Sequence, residues 1–214
     1  MLYAVSDIKR DVRIAIDQNM TSTALSALGD VDTLSLEEII ESKIETAARM
    51  VETSASHLLL DGGEPFADSI EWDSEQGNGS GHIILPPDFM RLVSFKMSDW
   101  SMPVFEAISA EDPLYARQKS RYPGVRGCPQ RPVVAIVQWP DGLVLEFYSC
   151  TAGSTVDVES DCYLPYPKIV NGEIDLCMRL RDAVVYYTAY LTALSVGDEK
   201  LAGIMLNISN ELMK

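Results

Sequence analysis

The chain has 214 residues, of which 47% are hydrophobic and 23% are charged, as expected of one folded domain or a domain with an insertion. Its formal net charge of −15 argues against a surface that grips nucleic acid, because phosphate binding needs clustered Lys and Arg. Two histidines, and four cysteines without a C-x-x-C pair, argue against a zinc cluster, so we expect neither a metal nor a cofactor.

Two helices are predicted in the N-terminal part of the chain. Ser6 is the expected N-cap of a helix near residues 6–19, and Ser35 with Glu38 forms a capping box that begins a second helix, which runs to about Leu60. The apolar stripe of this second helix is Leu36, Ile40, Ile44, Ala47, Val51, Ala55 and Leu58. Its opposite face carries Glu41, Glu45, Arg49 and Glu52, which fits an interface in an oligomer or, as we favour, a solvated face.

The β region begins at a glycine-rich segment, residues 76–81. A phosphate-binding loop follows a strand and begins a helix, whereas this segment leads into an apolar run, so a mobile hairpin tip is the favoured interpretation over nucleotide binding. The runs at residues 83–85 and 92–97 are predicted strands at the first corner of an antiparallel β unit, because Pro86-Pro87 forces a turn between them.

The middle of the chain predicts three further elements. Residues 102–108 are a candidate edge strand, and Asp112-Pro113 begins a short helix that ends near Arg121. Residues 133–139 and 143–148 flank Pro140-Asp141-Gly142 and form the clearest hairpin. Both faces of the hairpin are apolar, so we expect each to be covered by a helix or by a second subunit, with Val137 as an interface candidate.

Two charged groups are candidate sites. The basic one is Arg117, Lys119, Arg121, Arg126 and Arg131, which fits nucleic acid or, as we favour in so acidic a chain, an acidic neighbouring subunit. The acidic one is Asp157, Glu159 and Asp161, which alternate on a predicted strand. They fit a divalent cation or, more commonly, a charged edge strand that avoids aggregation.

The C-terminal part predicts two antiparallel helices, at residues 173–195 and 198–213, separated by Gly197 and capped by Asp198. The stripe of the first is Leu176, Leu180, Val184, Tyr187, Leu191 and Leu194. Val185, Ala189 and Ala193 widen it, so we expect this helix to be central. The stripe of the second is Leu201, Ile204, Met205, Ile208 and Leu212. The predicted fold class is therefore α+β, a helical bundle of residues 1–65 and 172–214 with an antiparallel β-rich insertion at 66–171.

Three classes of function remain open. A hydrolase needs a nucleophile, a base and an orienting group. The sequence has only two histidines, His57 and His82, that could serve in a catalytic triad. A ligand- or carbohydrate-binding β module is the alternative, with Trp72, Trp100 and Trp139 as its aromatic platform. A structural subunit without enzymatic activity accounts for more of the chain, including the two-faced hairpin and the acidic charge.

The order of these segments carries a resemblance. Helices, a glycine-rich tip, the run ILPPDFMRLVSFKMSDW, a Tyr-Pro-Gly turn, a β pair and paired C-terminal helices follow one another from about residue 6 to 213. In this order the chain resembles the head-to-tail connector, or adaptor, proteins of tailed bacteriophages. In the order of its segments it most resembles the neck ring proteins of short-tailed crAss-like gut phages.

The resemblance implies a virion protein of the neck or tail, assembled in the host cytoplasm. It implies a ring, usually twelvefold, that contacts the portal protein and an adjacent tail or second ring protein. Genome DNA passes through the lumen without specific binding, and no membrane is involved. No functional motif is transferable residue by residue, so the interface candidates are Arg117, Arg121, Arg126, Arg131, Val137, Glu211, Leu212 and Met213.

Overall fold

The structure is a computed structural model, and it describes residues 1–16, 35–73, 79–120, 122, 124–151 and 156–214. The chain divides into two compact units. The first, the terminal unit, comprises residues 1–62 and 167–214, and the second, the inserted unit, comprises residues 63–166. The predicted loop at residues 19–32 lies outside the described residues.

The terminal unit contains four α-helices and a small sheet. Its elements are β1 (Leu2–Ala4), α1 (Val5–Ala15), α2 (Leu36–Ser54), β9 (Ile169–Val170), β10 (Glu173–Asp175), α4 (Arg181–Val196) and α5 (Glu199–Leu212), with 3-10 turns at His57–Leu59 and Met178–Leu180. Helix α4 packs against α1, α2 and α5. The largest fully buried side chains of this unit are Ile8, Val12, Ile40, Ile44, Val51, Ile174 and Leu180.

Helices α1 and α2 are present where they were predicted, but their ends differ from the predicted ones. The capping box is present: Ser35 Oγ accepts a hydrogen bond from the Glu38 N–H at 3.3 Å, and the Ser35 N–H donates to Glu38 Oε2 at 2.7 Å. Helix α1, however, begins at Val5, so Ser6 is not its N-cap. Helix α2 ends at Ser54, short of the predicted end, and Leu58 is 68% exposed instead of part of the stripe.

A three-stranded sheet in the order β1–β10–β9 replaces the start of the predicted C-terminal helix. Residues 173–175 are a strand because Asn171 and Gly172, with φ of 54° and 81°, form a tight turn that returns the chain beside β9. The first strand of the chain then pairs with β10 through Tyr3 and Ile174. Helix α4 therefore starts eight residues later than predicted, at Arg181.

The C-terminal helical hairpin is connected as predicted. Gly197 ends α4 in the left-handed region, with φ of 85°, and Asp198 Oδ1 accepts a hydrogen bond from the Leu201 N–H at 3.0 Å. The buried face of α4 includes Val184, Val185, Ala189 and Ala193 as predicted, and it also includes Ala183, Thr188 and Thr192. The larger Leu194 is 45% exposed.

The inserted unit contains most of the strands. Its elements are β2 (Glu71–Trp72), β3 (Gly81–Ile84), β4 (Phe89–Met97), β5 (Ile108–Ser109), α3 (Pro113–Gln118), β6 (Val134–Trp139), β7 (Gly142–Phe147) and β8 (Val158–Pro165). One sheet has the order β2–β3–β7–β6–β5, and β4 pairs with β8 in a separate two-stranded sheet. Strands β2 and β3 pair antiparallel across the predicted glycine-rich tip, of which residues 76–78 lie outside the described part.

Two strand predictions in this unit are wrong. The runs on either side of Pro86-Pro87 do not form one β corner, because β3 joins the five-stranded sheet and β4 joins the other. Residues 102–108 do not form a continuous strand: Val104 makes an isolated bridge to Phe95, and Ile108 begins the two-residue β5, which pairs in parallel with β6. All other strand pairs are antiparallel, so the α+β class with antiparallel sheets is confirmed.

The predicted hairpin of β6 and β7 is present, and both of its faces are covered within its own unit. One face, which includes Val134 and Phe147, belongs to the main hydrophobic cluster of the unit. The other face forms a second cluster against which Ile108 and Tyr115 pack. Val137 belongs to this second cluster and is 5% exposed, so the interface expected at Val137 is corrected: no neighbour is needed to cover it.

No helix in the described ranges is both long enough and apolar enough to cross a lipid bilayer.

Candidate functional site

The basic residues of the inserted unit lie in a part of the chain without acidic residues. From Leu114 to Pro140 the sequence contains five Lys and Arg and no Asp or Glu, in a chain with 32 acidic and 17 basic residues. We call residues 114–140 the basic stretch. Arg117, Lys119 and Arg131 are exposed in it, and Arg126 is half-buried. Arg121 lies outside the described residues.

The basic stretch is attached to its unit at several points. Asp112 caps α3 by accepting a hydrogen bond from the Leu114 N–H at 2.8 Å. The buried Gln118 accepts a hydrogen bond from the Gly127 N–H at 2.8 Å and donates one to Leu114 O at 3.0 Å, which returns the loop to the helix. The Ser101 N–H donates to Pro129 O at 2.9 Å. These hydrogen bonds hold Gly127 against α3 and Pro129 against Ser101.

Glu146 fastens α3 to the sheet. Its Oε2 accepts hydrogen bonds from the hydroxyl groups of Tyr115, at 3.0 Å, and Tyr148, and its Oε1 accepts one from Trp139 Nε1 at 2.9 Å. Burial, and then the Glu146 carboxylate, raise the pKa of Tyr115 and of Tyr148, so both phenols remain donors at neutral pH. Lys119 Nζ lies 5.2 Å from the centre of the Tyr115 ring.

Several cations outside the basic stretch are held in ion pairs. Lys9 and Arg13 on α1 bind Glu41 and Glu37 of α2, at 2.8 and 2.7 Å, and Arg181 binds Asp11. By contrast, Arg117, Lys119, Arg126 and Arg131 form no ion pair within the part of the chain that the structure describes. The buried Nε of Arg126 has no acceptor among the same residues. These cations are available to a partner.

The other predicted interface residues lie far along the chain, at the end of α5. Glu211 and Leu212 are exposed, with Leu212 39% exposed, and Met213 is half-buried. Met213 O accepts a hydrogen bond from the Ser56 N–H at 2.9 Å, which ties the end of α5 to the end of α2. These residues belong to the terminal unit, whereas the basic stretch belongs to the inserted unit.

The residues considered for catalysis have structural contacts. His82 Nε2 lies 3.2 Å from Glu71 Oε2, and its ring lies 4.6 Å from that of Trp139. His57 lies in the 3-10 turn after α2. Neither histidine is shown against a nucleophile, so the described geometry does not build a catalytic triad.

The three tryptophans that a carbohydrate-binding module would use are not exposed together. Trp100 is 3% exposed and Trp72 packs edge-on against Phe147, with ring centres 5.3 Å apart. Trp139 is 37% exposed, and its indole N–H is used by Glu146. The three side chains therefore do not offer one stacking surface for a sugar.

Two of the three acidic residues, Glu159 and Asp161, have separate side-chain partners. Glu159 binds Lys96 at 2.7 Å. Asp161 Oδ2 accepts hydrogen bonds from the N–H groups of Phe66 and Ala67, both at 2.6 Å, and so anchors the beginning of the inserted unit. Among the described residues, no group of three or more His, Cys, Asp or Glu side chains is arranged to hold a metal ion.

A cleft of about 620 Å³ lies between α1 and α2. Lys9, Arg10 and Arg13 line it together with Glu37 and Glu41. Arg10 binds Asp7 at 3.2 Å, and the other two cations bind the glutamates of α2. Because its charges are paired with one another, the cleft lacks a free group to recognise a ligand.

Two functional side chains were not predicted from the sequence. Glu146 is the only acidic residue within the two strands of the hairpin, and that isolation is a signal for a half-buried hydrogen-bond acceptor. Glu52 was assigned to a solvated face, yet it is 3% exposed and accepts a hydrogen bond from the Cys177 N–H at 2.9 Å. The pattern of α2 gave no signal for it, because the segment that covers it is distant in sequence.

No protein-family model matches the chain, and a search of curated proteins found no similar sequence.

Proposed function

We propose that this chain is a structural subunit that assembles with copies of itself into a ring, and that the ring is a head-to-tail connector of a tailed bacteriophage. The observation that supports assembly is charge segregation, in which basic residues cluster in one stretch of an otherwise acidic chain. Arg117, Lys119, Arg126 and Arg131 of the basic stretch form no ion pair among the described residues, on a chain whose remaining residues are strongly acidic. The connector assignment itself is supported by the resemblance in the order of elements.

Charge segregation favours a head-to-tail contact between copies. The basic stretch of one copy is complementary to the acidic surface of the next, and two basic stretches repel one another. A contact between two different surfaces is heterologous, and repeated heterologous contacts produce a ring when the rotation closes. The exposed Tyr122, at 75%, lies within the basic stretch and provides an apolar area at such a contact.

The finer architecture belongs to the same proposal. Helices α1, α2, α4 and α5 form the bundle of the ring body, and the inserted unit carries the contact to the neighbouring copy. The end of α5, with Glu211, Leu212 and Met213, contacts the portal or the next tail component. The subunit has no enzymatic activity in this proposal, and its place is the neck of the virion.

Duplex DNA passes through such a ring without being gripped. Non-specific binding of DNA draws its free energy from neutralised phosphates and released counterions. A chain with net charge −15 opposes that release, and the basic stretch is occupied by a neighbouring copy. Purified protein should therefore not retain duplex DNA near physiological salt.

The experiment compares charge reversals on the two units. Purified wild type is examined by native mass spectrometry and electron microscopy for closed rings, beside the double variant Arg117→Glu/Arg131→Glu. The matched control is Arg49→Glu, which reverses an exposed cation of α2 that also lacks an ion pair among the described residues. We expect rings from wild type and control, and monomers from the double variant.

Two results would contradict the proposal. Rings that persist unchanged in Arg117→Glu/Arg131→Glu would show that the basic stretch is not the contact between copies. Salt-sensitive retention of duplex DNA by wild type that is lost in the double variant would instead identify a nucleic-acid-binding protein.

A further inference from the structure

The two edges of the five-stranded sheet differ in charge. The sheet has the order β2–β3–β7–β6–β5, so β2 and β5 are its edge strands. Neighbouring strands lie about 4.8 Å apart, which separates the two edges by roughly 19 Å. Helix α3 packs against β5, and the basic stretch begins in α3 and continues into β6. The elements that bear the cations therefore lie toward the β5 side of the sheet.

The opposite edge is acidic. Residues 64–90 contain six Asp and Glu and no Lys or Arg, and β2 lies within this segment. Three of its acidic residues are exposed and lie in β2 or within three residues of it: Asp68, Glu71 and Asp73. We call these three residues the acidic edge. Glu71 Oε2 lies 3.2 Å from His82 Nε2, whereas Asp68 and Asp73 form no ion pair among the described residues.

The acidic edge and the basic stretch do not neutralise each other within one copy. No ion pair joins them in the part of the chain that the structure describes. In the terminal unit, by contrast, the cations Lys9 and Arg13 of α1 bind glutamates of α2. The inserted unit therefore presents complementary charges at opposite edges of one sheet, where they can meet only between copies.

Other acidic residues of the inserted unit are less suited to bind these cations. Glu159 binds Lys96 at 2.7 Å, and Asp157 immediately precedes β8, which belongs to the separate two-stranded sheet. Glu106 and Glu111 flank β5, so they lie at the same edge as the cations. A neighbour that docks against the opposite edge meets the residues around β2 instead.

We infer that the acidic edge of one copy binds the basic stretch of the next copy, an assignment that rests on the proposed head-to-tail assembly. The argument for this occupant is charge complementarity. Arg117 and Arg131 are exposed cations, Asp68 and Asp73 are exposed carboxylates, and opposite charges at a contact fix its partner and orientation. Two acidic edges would repel each other. Because the two surfaces lie at opposite edges, each copy can bind two neighbours at once, as a ring requires.

The test is a charge-reversal experiment on the full chain, with closed rings measured by native mass spectrometry. Asp68→Lys/Asp73→Lys places cations where the basic stretch of the neighbour docks, so the yield of rings should fall roughly tenfold or more. The matched control is Glu106→Lys/Asp157→Lys, which makes the same change in charge at two exposed residues of the same unit, and its rings should persist. Circular dichroism verifies that each variant folds. If the lysine variant unfolds, Asp68→Asn/Asp73→Asn replaces it, with the loss of rings as the measurement.

Mixing two variants separates docking at this edge from a general effect of charge. Asp68→Lys/Asp73→Lys and Arg117→Glu/Arg131→Glu should each be monomeric alone, because each has two surfaces of like charge. Mixed in equal amounts, they should form rings that contain both variants in equal number, because the reversed surface of one is complementary to the reversed surface of the other. The control should not bring the arginine variant into closed rings.

Each contrary result has a distinct meaning. Rings that persist in Asp68→Lys/Asp73→Lys, while Arg117→Glu/Arg131→Glu abolishes them, would overturn the inference and leave the proposed assembly intact, because the cations would then dock elsewhere. An equal loss of rings in the control, or a mixture of the two variants that stays monomeric, would overturn it as well. A wild type that forms no ring overturns the proposed assembly and this contact with it.

Discussion

Glu52 tests whether a buried carboxylate stabilises the terminal unit or opposes its folding. It is 3% exposed on α2, and its Oε1 accepts the N–H of Cys177, which precedes α4 in the chain. Burial raises the pKa of Glu52 from its ordinary value of 4.5, and the hydrogen bonds from Cys177 lower it in part. The native state therefore holds a proton on Glu52 at pH values where the unfolded chain has released it.

The sign of the pH dependence follows from this difference. Above pH 4.5 the unfolded chain gains free energy by ionising Glu52 before the native state does, so stability falls as the pH rises toward the native pKa. Glu52→Gln retains an oxygen acceptor for the Cys177 N–H and cannot ionise. We expect this variant to equal wild type near pH 4 and to become more stable than wild type as the pH rises above 4.5.

Glu52→Ala separates the hydrogen bond from the charge. It leaves the buried Cys177 N–H without this acceptor, and an unsatisfied buried donor costs about 1–3 kcal/mol. All three tryptophans belong to the inserted unit and four of the five helices to the terminal unit. Urea unfolding followed by circular dichroism at 222 nm therefore reports mainly on the terminal unit, with tryptophan fluorescence as an internal control. A Glu52→Gln variant as unstable as Glu52→Ala at pH 7 would refute the reasoning, because it would mean that the negative charge itself is stabilising.

Three further substitutions test other elements of the fold by the same two signals. Gly203→Ala should raise the stability of the terminal unit by about 0.5–1 kcal/mol, because alanine is the better helix former and its Cβ meets no atom; a loss of stability would indicate an unrecognised close contact. Asp161→Ala should destabilise the inserted unit by about 2 kcal/mol or more, since two amide donors lose their acceptor, and Asp161→Asn should recover part of this loss. Val137→Asp should unfold the inserted unit, at a cost of about 3 kcal/mol or more, because the carboxylate would be buried in its own hydrophobic cluster; a folded unit with only an assembly defect would restore Val137 as an interface residue.

Features that depend on neighbouring residues could be predicted from the sequence. The capping box at Ser35 and Glu38, the left-handed Gly197 and the hairpin around Pro140-Asp141-Gly142 each follow from a few consecutive side chains. The turn at Asn171-Gly172 is an equally local signal, and its dipeptide is among the strongest indicators of a hairpin. It was missed because the apolar periodicity of α4 was extended backward to Glu173, over the residues that form β10.

Features that depend on distant contacts could not be predicted. Strand β1 exists only because β10 offers it an edge from the other end of the chain. Glu52 is buried because Cys177, also from the other end, covers it. The predicted stripe of α4 included Tyr187, Leu191 and Leu194, which are not fully buried. Ala183, Thr188 and Thr192 are buried instead, since α1, α2 and α5 all pack against this helix. Hydrophobic periodicity shows which residues of a helix are apolar, but it does not show which face of the helix other elements pack against.

Large apolar side chains on α4 and α5 are partly exposed, and this feature of the fold bears on the proposed assembly. Small residues at the contacts of α4 and α5 bring the helices together and leave Leu194, Ile204 and Leu212 partly in water. In a chain with so much negative charge, solubility alone would be served by acidic residues at these positions, as on α2. The chain instead keeps the middle of both helices uncharged, at residues 183–197 and 201–210. The proposed contact of the basic stretch with a neighbouring copy rests on opposite charges, so salt should weaken it.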